Sequence, residues 1–362
     1  MPTVLIAGAS GLVGEAAVEH FSRAPGWHVI AVSRRPPKVG EASAITHVSI
    51  DLLDRDRSRS GLGKCADVTH AIYAASTEAP GLRSGWLDAQ QIARNAAMFQ
   101  NLLDPLCSTQ SLRHVMLLQG AKAYGAHAGL QPRLPAREDT DRSRHENFYW
   151  RQEDHLRAMA SRHGFAWTIF RPAVVIGATW GASMNPLVAL GALAAIRRHE
   201  GKPLAYPGGA FQVSELVGND LLAEAFEWAA NDPAAINQTF NITNGEVFAW
   251  RDSWGDLAQL LGVEQGNDEA MSVADYLESR SALWEELVIA HGLCPLPLAT
   301  LLGQSHHYLD MLLRRLAITI EYPTLMSTIK LRQKGFAACR DNRAMFERSI
   351  DQLRRRKLIP AE

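Results

Sequence analysis

Three glycines near the start of the chain have the spacing of a phosphate-binding turn. Gly8, Gly11 and Gly14 follow the apolar run TVLIA and precede a segment with helical periodicity. The first glycine permits a tight strand-to-helix turn, the second lets a pyrophosphate approach the backbone, and the third lets the helix pack closely. Free N–H groups and the helix dipole then favour anions. The residues predicted to bind the phosphates are Gly8, Ser10, Gly11, Leu12, Val13 and Gly14.

Two arginines after the second apolar run bear on the choice of nucleotide. Folds that select NAD place an acidic residue there for the ribose 2′-hydroxyl, whereas HVIAV is followed by Ser33, Arg34 and Arg35. Planar guanidinium groups match a 2′-phosphate and stack on adenine, so the pattern predicts NADP(H). The alternative is a solvated arginine pair before a Pro-Pro turn. Asp51 and Leu52, which close the third apolar run, are predicted to frame the adenine.

A tyrosine and a lysine in the middle of the chain are the candidates for catalysis. A reductase needs a donor where negative charge develops on the substrate oxygen, and Tyr149 in ENFYW and Lys122 in LLQGAKAYG could supply it. The Tyr-x-x-x-Lys pair usual in short-chain reductases is absent, since Glu153 stands four residues after the tyrosine. Gly120 stands where a serine is usual. Tyr124 is a second, weaker candidate for the donor.

The elements that must position these residues are readable from the apolar pattern. Short apolar runs alternate with helical patterns in the first half, which is typical of a parallel sheet with crossover helices. Strands are predicted over 3–7, 28–33, 47–50, 70–75, 114–118, 166–171 and 238–242. Helices are predicted over 12–23, 88–103, 147–162, 186–199, 214–230 and 250–261.

This order predicts an α/β fold with a Rossmann-type, doubly wound parallel sheet of about seven strands and a smaller, mainly helical substrate lobe. We expect residues 1–175 to form the NADP-binding domain and residues 176–362 to form mainly the substrate-binding lobe. Segments around 210–250 should return to the first domain, and the strand over 238–242 should join the main sheet. Ligands bind at the carboxyl ends of such strands, where Lys122 follows the fifth strand.

Composition and charge exclude several classes of function. The chain has 362 residues, 47% of them hydrophobic, with 37 lysines and arginines against 38 aspartates and glutamates. The near-neutral balance gives no basis for a nucleic-acid or membrane partner. The longest apolar stretch, 187–196, is about half of a membrane span, and the N-terminus is typical of a strand and not of a signal peptide. We therefore expect a cytoplasmic protein, and the spacing of His306 and His307 predicts no metal site.

The chain resembles the progesterone 5β-reductase/iridoid synthase-like group of atypical extended short-chain dehydrogenases/reductases. The matching stretches are GASGLVG, SRR, LLQGAKAYG, NFYWRQED, FRPAVVIG, HEGKPL, FNITNGEVFAW and the distal GF, which together span nearly the whole sequence. The resemblance implies reduction of an activated C=C bond by NADPH, with hydride delivered to the β-carbon. It also implies that Tyr149 and Lys122 are catalytic and stabilise the enolate oxygen. We expect the lysine charge to favour an ionised or strongly donating phenol.

Four further positions complete the predicted cofactor site, at or just after the fourth, fifth and sixth strands. They are Ala74, Gln119, Pro172 and Val174. Trp150, Cys339 and the segment STEAPGLRSGW depart from the group's pattern, and they leave open the substrate and whether Tyr124 or Cys339 lines its pocket.

The sequence is compatible with three functions. The first is an NADPH-dependent enone or enal reductase with a small-molecule substrate. The second is a carbonyl reductase or an epimerase/dehydratase of the extended short-chain group, which would normally carry the Tyr-x-x-x-Lys pair. The third is a non-catalytic NADP sensor, which would keep the glycine turn and lose the tyrosine. A homodimer is left open.

Overall fold

The structure is a computed structural model that describes residues 1–39, 45–80, 82–142, 144–313 and 323–361. Ten strands lie within these ranges: β1 Thr3–Ala7, β2 His28–Ser33, β3 Ile45–Ser49, β4 Val68–Tyr73, β5 His114–Leu118, β6 Ala166–Pro172, β7 Val174–Ile176, β8 Val213–Gly218, β9 Gln238–Ile242 and β10 Val247–Ala249.

Fourteen α-helices lie within the same described ranges. They are α1 Leu12–Arg23, α2 Arg55–Leu62, α3 Arg83–Trp86, α4 Ala89–Cys107, α5 Phe148–His163, α6 Pro186–His199, α7 Asn219–Asn231, α8 Trp254–Leu260, α9 Val273–Glu278, α10 Ser281–His291, α11 Leu298–Leu302, α12 Ser305–Leu312, α13 Ile329–Gln333 and α14 Asn342–Arg355. Short 3₁₀ turns occupy Ala121–Tyr124, Ala126–Ala128 and Pro233–Ala235. Among these described residues, no helix combines the length and the apolar character that crossing a membrane requires.

Seven parallel strands form the central sheet in the order β3-β2-β1-β4-β5-β6-β9. The strands were predictable because they are buried on both faces: every residue of β1 is buried, and so are five of the six residues of β2. The predicted Rossmann-type, doubly wound fold is confirmed. So is the return of β9, which pairs with β6 at the edge of the sheet. The strand order reverses between β1 and β4, which is where such sheets bind ligands.

A second, three-stranded sheet was missed by the sequence prediction. Its order is β10-β8-β7, with β8 parallel to β7 and antiparallel to β10. The helix predicted over 214–230 is therefore wrong in its first part, since Val213–Gly218 is strand and helix α7 begins only at Asn219. Pairing on both sides of β8 supplies backbone hydrogen bonds that a short apolar pattern cannot reveal. The helix predicted over 250–261 also begins late, at Trp254.

In the part of the chain that the structure describes, three large apolar cores hold the elements together, beside two small clusters around Tyr149 and Tyr124. One lies on the α1 and α7 face of the main sheet, and a second lies on the α2, α4 and α5 face. The third surrounds α6, whose residues from Pro186 to Arg197 are all buried. Helices α8 to α12 and α14 contribute to this third core, which forms the helical lobe. Helix α7 and strand β9 come after residue 175 in the sequence but pack with the main sheet. The predicted domain boundary near residue 175 therefore stays a prediction.

Candidate active site

A single cleft at the carboxyl ends of the main strands collects the residues that the sequence singled out. It has a volume of about 570 Å³ and runs from the glycine turn to Lys122 and Tyr149. The predicted cofactor residues that line it are Gly8, Ser10, Gly11, Leu12, Val13, Ser33, Arg34, Arg35, Asp51, Leu52, Ala74, Gln119, Pro172 and Val174. Gly14 is not among the lining residues in the described part of the chain; it lies beneath the turn.

The glycine turn has no room for side chains at Gly8 and Gly14. Gly8 has φ +80°, and a Cβ there would lie 2.7 Å from the carbonyl oxygen of Ala74. A Cβ on Gly14 would lie 2.1 Å from the carbonyl oxygen of Gly8, so α1 packs directly under the turn. Gly11 N donates to Gly8 O over 2.8 Å and stands at the N-terminus of α1. This cradle fits a pyrophosphate, because bare backbone and a helix N-terminus are what bind one.

The end of β2 places the two arginines predicted to bind the adenosine half of the cofactor in the lining of the cleft. Arg34 and Arg35 are exposed, and the Ser33 hydroxyl donates to Arg35 O over 2.5 Å, which fixes the bend. Two residues missed by the sequence prediction join them: the Lys38 Nζ lies 3.5 Å from the ring centroid of Trp180, and the Arg35 guanidinium lies 5.0 Å from it. Trp180 follows β7 and comes directly before Gly181, which lines the cleft. The cationic group is thus larger than the Ser-Arg-Arg pattern alone.

Tyr149 occupies the first turn of α5, where Asn147 is the N-cap and its Oδ1 accepts from Tyr149 N over 3.0 Å. A Cβ on Gly120 would lie 3.1 Å from the Tyr149 hydroxyl, so the glycine in place of the usual serine leaves room for the phenol. The tyrosine is 6% exposed, and burial, followed by the charge of Glu78, raises the pKa of its phenol. Burial thus favours the protonated form of the phenol over the ionised form, and the expectation of an ionised or strongly donating phenol stays a prediction.

Lys122 is paired with a carboxylate that the sequence prediction missed. Its Nζ lies 3.4 Å from Glu78 Oε1, 4.4 Å from the ring centroid of Trp86 and 5.9 Å from the ring centroid of Tyr149. Burial lowers the pKa of the lysine, while the Glu78 carboxylate opposes that shift. The ammonium group thus stands near Tyr149 but has Glu78 as its charge partner.

Gln119, directly after β5, connects this strand to β6 and α5. Its Oε1 accepts from Arg171 Nε over 2.9 Å, and its Nε2 donates to Glu153 Oε2 over 3.2 Å. Glu153, at the position where the usual pair would have lysine, also accepts from Arg157 over 2.7 Å. The side chains of Gln119, Glu153 and Arg171 are buried, so this network fixes the start of α5 and with it Tyr149.

Tyr124 and Cys339, left open above, do not line the cleft in the parts of the chain that the structure describes. The Tyr124 hydroxyl donates to Asn241 Oδ1 over 2.5 Å, and Cys339 is exposed. A different phenol, that of Tyr308 on α12, lines the cleft, and burial raises its pKa. Tyr308 was missed because its helix comes from the far end of the lobe.

His306 and His307 meet a third polar group that their spacing could not reveal. Their Nε2 atoms lie 3.1 and 3.4 Å from Glu278 Oε1, and the three groups could share a cation. Glu278 ends α9, whereas the histidines are on α12. The prediction of no metal site rested on spacing alone and stays a prediction.

Comparisons with known proteins agree with this fold. A family model described as the NAD dependent epimerase/dehydratase family matches residues 4–243. The structure is similar to UDP-glucose 4-epimerase from Thermotoga maritima, with TM-score 0.66, 15% identity and coverage of 98% of this chain and 99% of that one. It is also similar to UDP-glucuronic acid 4-epimerase from Bacillus cereus, solved with NAD, with TM-score 0.66, 16% identity and the same coverage.

Proteins found by sequence comparison have a higher identity to this chain than these two solved structures do. An (S)-8-oxocitronellyl enol synthase of Antirrhinum majus is 34% identical, over 98% of this chain and 92% of the relative. One of Catharanthus roseus is 31% identical with the same coverage. The fold and the glycine turn define a nicotinamide-nucleotide-binding protein of the extended short-chain dehydrogenase/reductase class. The chain belongs to the NAD dependent epimerase/dehydratase family and, within it, to the progesterone 5β-reductase/iridoid synthase-like group.

Proposed function

We propose that this protein is an NADPH-dependent reductase of C=C bonds conjugated to an aldehyde or ketone. The observation that carries the proposal is the meeting of the buried Tyr149 phenol and the Lys122 ammonium group in the cleft that begins at the glycine turn. When bound, the reduced nicotinamide supplies a hydride to the β-carbon of the substrate. The relatives are named for forming an enol, which is the product that such an addition leaves before protonation at carbon.

The role of each residue follows from the charge that develops. Hydride addition at the β-carbon moves negative charge to the carbonyl oxygen, and a donor aimed there lowers the barrier. Tyr149, protonated because burial raises its pKa, donates a hydrogen bond to that oxygen. Lys122 adds positive charge close by. Protonation of the α-carbon by water completes the reaction, so the tyrosine need not give up its proton.

Two other functions have less support. A carbonyl reductase or epimerase/dehydratase would use a lysine four residues after the tyrosine, and Glu153 at that position is held by Arg157. A non-catalytic NADP sensor would have no need of a buried phenol beside a buried ammonium group, whose burial costs free energy.

The test is NADPH consumption against a panel of cyclic enones, enals and saturated ketones, with identification of the products. Tyr149→Phe should lose about 10²–10³ in rate, as for removal of one oxyanion donor, and should still bind NADPH. Lys122→Ala should behave the same way, somewhat less severely. Strongly activated enals need less stabilisation, so Tyr149→Phe should retain a larger fraction of activity on them.

Tyr206→Phe is a matched control, because Tyr206 is a buried tyrosine of the lobe that lies outside the cleft lining in the described residues. It should keep the wild-type rate. Reduction of every enone at the wild-type rate by Tyr149→Phe would move the donor role to another group, and Tyr308 is then the candidate. Turnover of saturated ketones alone would favour the carbonyl reductase.

A further inference from the structure

Glu78 is a buried carboxylate in the wall of the cleft. Its side chain is 3% exposed, that of its partner Lys122 is 13% exposed, and both residues line the cleft. A carboxylate and an ammonium group taken out of water each cost several kcal/mol, and removal of one leaves the other uncompensated. Glu78 is therefore not an incidental surface contact of the lysine.

Trp86 holds the second oxygen of this carboxylate. Its indole Nε1 donates to Glu78 Oε2 over 2.8 Å, while the face of the same ring lies 4.4 Å from the Lys122 Nζ. The two carboxylate oxygens are thus divided, Oε1 toward the lysine and Oε2 toward the indole. An ammonium group between a carboxylate and an aromatic face is stabilised by both.

The backbone before Glu78 is also fixed. Thr77 N donates to Asn95 Oδ1 over 2.9 Å, and Thr77 O accepts from Asn95 Nδ2 over 2.9 Å and from Gln91 Nε2. Asn95 and Gln91 are buried side chains of α4. The segment after β4 therefore presents Glu78 from a rigid support, as a positioning group requires.

We propose that Glu78 is a positioning residue for the reduction: it holds the Lys122 ammonium group protonated and in place beside Tyr149, and Trp86 fixes Glu78 for this task. The inference rests on the proposed function, since Lys122 must act on the substrate oxygen for its position to matter. The Lys122 Nζ lies 3.4 Å from Glu78 Oε1 and 5.9 Å from the ring centroid of Tyr149, so the ion pair accounts for how a lysine without the usual helical spacing is kept next to the tyrosine.

The charge of Glu78 shifts the pKa of Lys122 in the direction that this role requires. Burial favours a neutral Lys122 and lowers its pKa, while the Glu78 charge raises it. Within the described residues, the titratable and charged groups close to the pair include Tyr149 on α5, Tyr308 on α12 and His127, whose ring packs against Trp86. The charge of Arg171 on β6 also acts on Tyr149. Loss of the Glu78 charge should therefore let Lys122 lose its proton at a lower pH.

The first test measures Glu78→Gln with NADPH and crotonaldehyde or cyclohexenone. The turnover number should fall roughly 10-fold to 100-fold, as for misplacement of a catalytic group, with NADPH affinity unchanged. The alkaline limb of the pH–rate profile should move to lower pH. Glu78→Asp, which keeps the charge, should recover part of the rate. Trp86→Phe should lower the turnover number less than Glu78→Gln does. Glu246→Gln, which removes an exposed carboxylate outside the cleft lining in the described residues, should match wild type.

A double-mutant cycle separates positioning from a structural effect. If Glu78 acts through Lys122, Glu78→Gln should slow the enzyme no further once Lys122→Met is present. Additive losses would overturn the inference. NMR titration of the ¹³C-methylated lysine in the cofactor-free protein gives a readout apart from activity, and an unchanged Lys122 midpoint in Glu78→Gln would also overturn it. A Lys122→Met variant as fast as wild type would overturn the inference as well, because Lys122 would then have no role to be positioned for. A wild-type protein that reduces neither crotonaldehyde nor cyclohexenone would instead refute the proposed function.

Discussion

At the residue scale, the cations at the end of β2 bear on the choice between NADPH and NADH. Arg34 is exposed at the cleft, so its guanidinium can reach a 2′-phosphate. Arg34→Ala should cost about 1–3 kcal/mol of binding free energy toward NADPH, as for hydrogen bonds to a charged group, and little toward NADH. Fluorescence titration with both cofactors measures this. Arg59→Ala on α2, also an exposed arginine, should change neither affinity, and equal losses for both cofactors would refute the 2′-phosphate assignment.

The residues found from the sequence and those missed differ in a physical way. Tyr149 and Lys122 carry the resemblance to the family and lie in short matching stretches. Glu78 and Trp86 act through an ion pair and an indole hydrogen bond to residues far along the chain, which no local pattern encodes. The contact between Lys38 and Trp180, which are far apart in the sequence, is of the same kind. A weak signal existed for Glu78, since its segment follows the fourth strand at the ligand-binding edge.

At the element scale, β8 carries a carboxylate whose surroundings give stability a pH dependence. Burial raises the pKa of Glu215 to about 7, although the hydrogen bond from Met326 N over 2.7 Å acts in the opposite direction. Between its ordinary value of 4.5 and about 7, the native state therefore holds more protons than the unfolded state. The free energy of unfolding contributed by this group falls as pH rises through that window.

Glu215→Gln should remove this dependence. Urea unfolding at pH 5 and pH 8 should show a smaller loss of stability in the variant than in the wild type, since the amide does not titrate. Glu246→Gln is the control, because Glu246 is exposed, and it should keep the wild-type difference. The same pH dependence in Glu215→Gln and wild type would contradict the assignment to β8.

Helices and strands could be predicted from the sequence where their apolar periodicity matches the face that they bury in the fold. Strands β1, β2, β5 and β9 and helices α1 and α6 have the predicted bounds, because their apolar periodicity matches the faces they bury. The segment of β8 was misread because VSELVG continues directly into the amphipathic helix α7. Only its pairing with β7 and β10, which are separated from it in sequence, makes it a strand.

At the scale of the whole molecule, the C-terminal basic run connects the two ends of the chain. Four consecutive basic residues, 354–357, are by themselves typical of a solvated helix end. In the structure, however, Arg356 pairs with Glu15 of α1 and donates to Ala178 O over 3.2 Å. Glu15 is 5% exposed at its side chain and also accepts from Thr179 Oγ1 over 3.3 Å. The C-terminal segment thus anchors the helix that carries the glycine turn.

Arg356→Met should therefore destabilise the whole fold rather than the C-terminus alone. It would leave the Glu15 carboxylate buried without its cation, a change that costs about 3–5 kcal/mol for a fully buried pair. Because the Arg356 side chain is 28% exposed, we expect about 2–3 kcal/mol in urea unfolding. Arg355→Met, one residue earlier and exposed, should change stability by no more than about 0.5 kcal/mol.

In the double variant Glu15→Gln/Arg356→Met, most of the stability should return, since the uncompensated charge is gone. A double variant as unstable as Arg356→Met alone would attribute the loss to packing of the arginine stem instead of to the buried carboxylate.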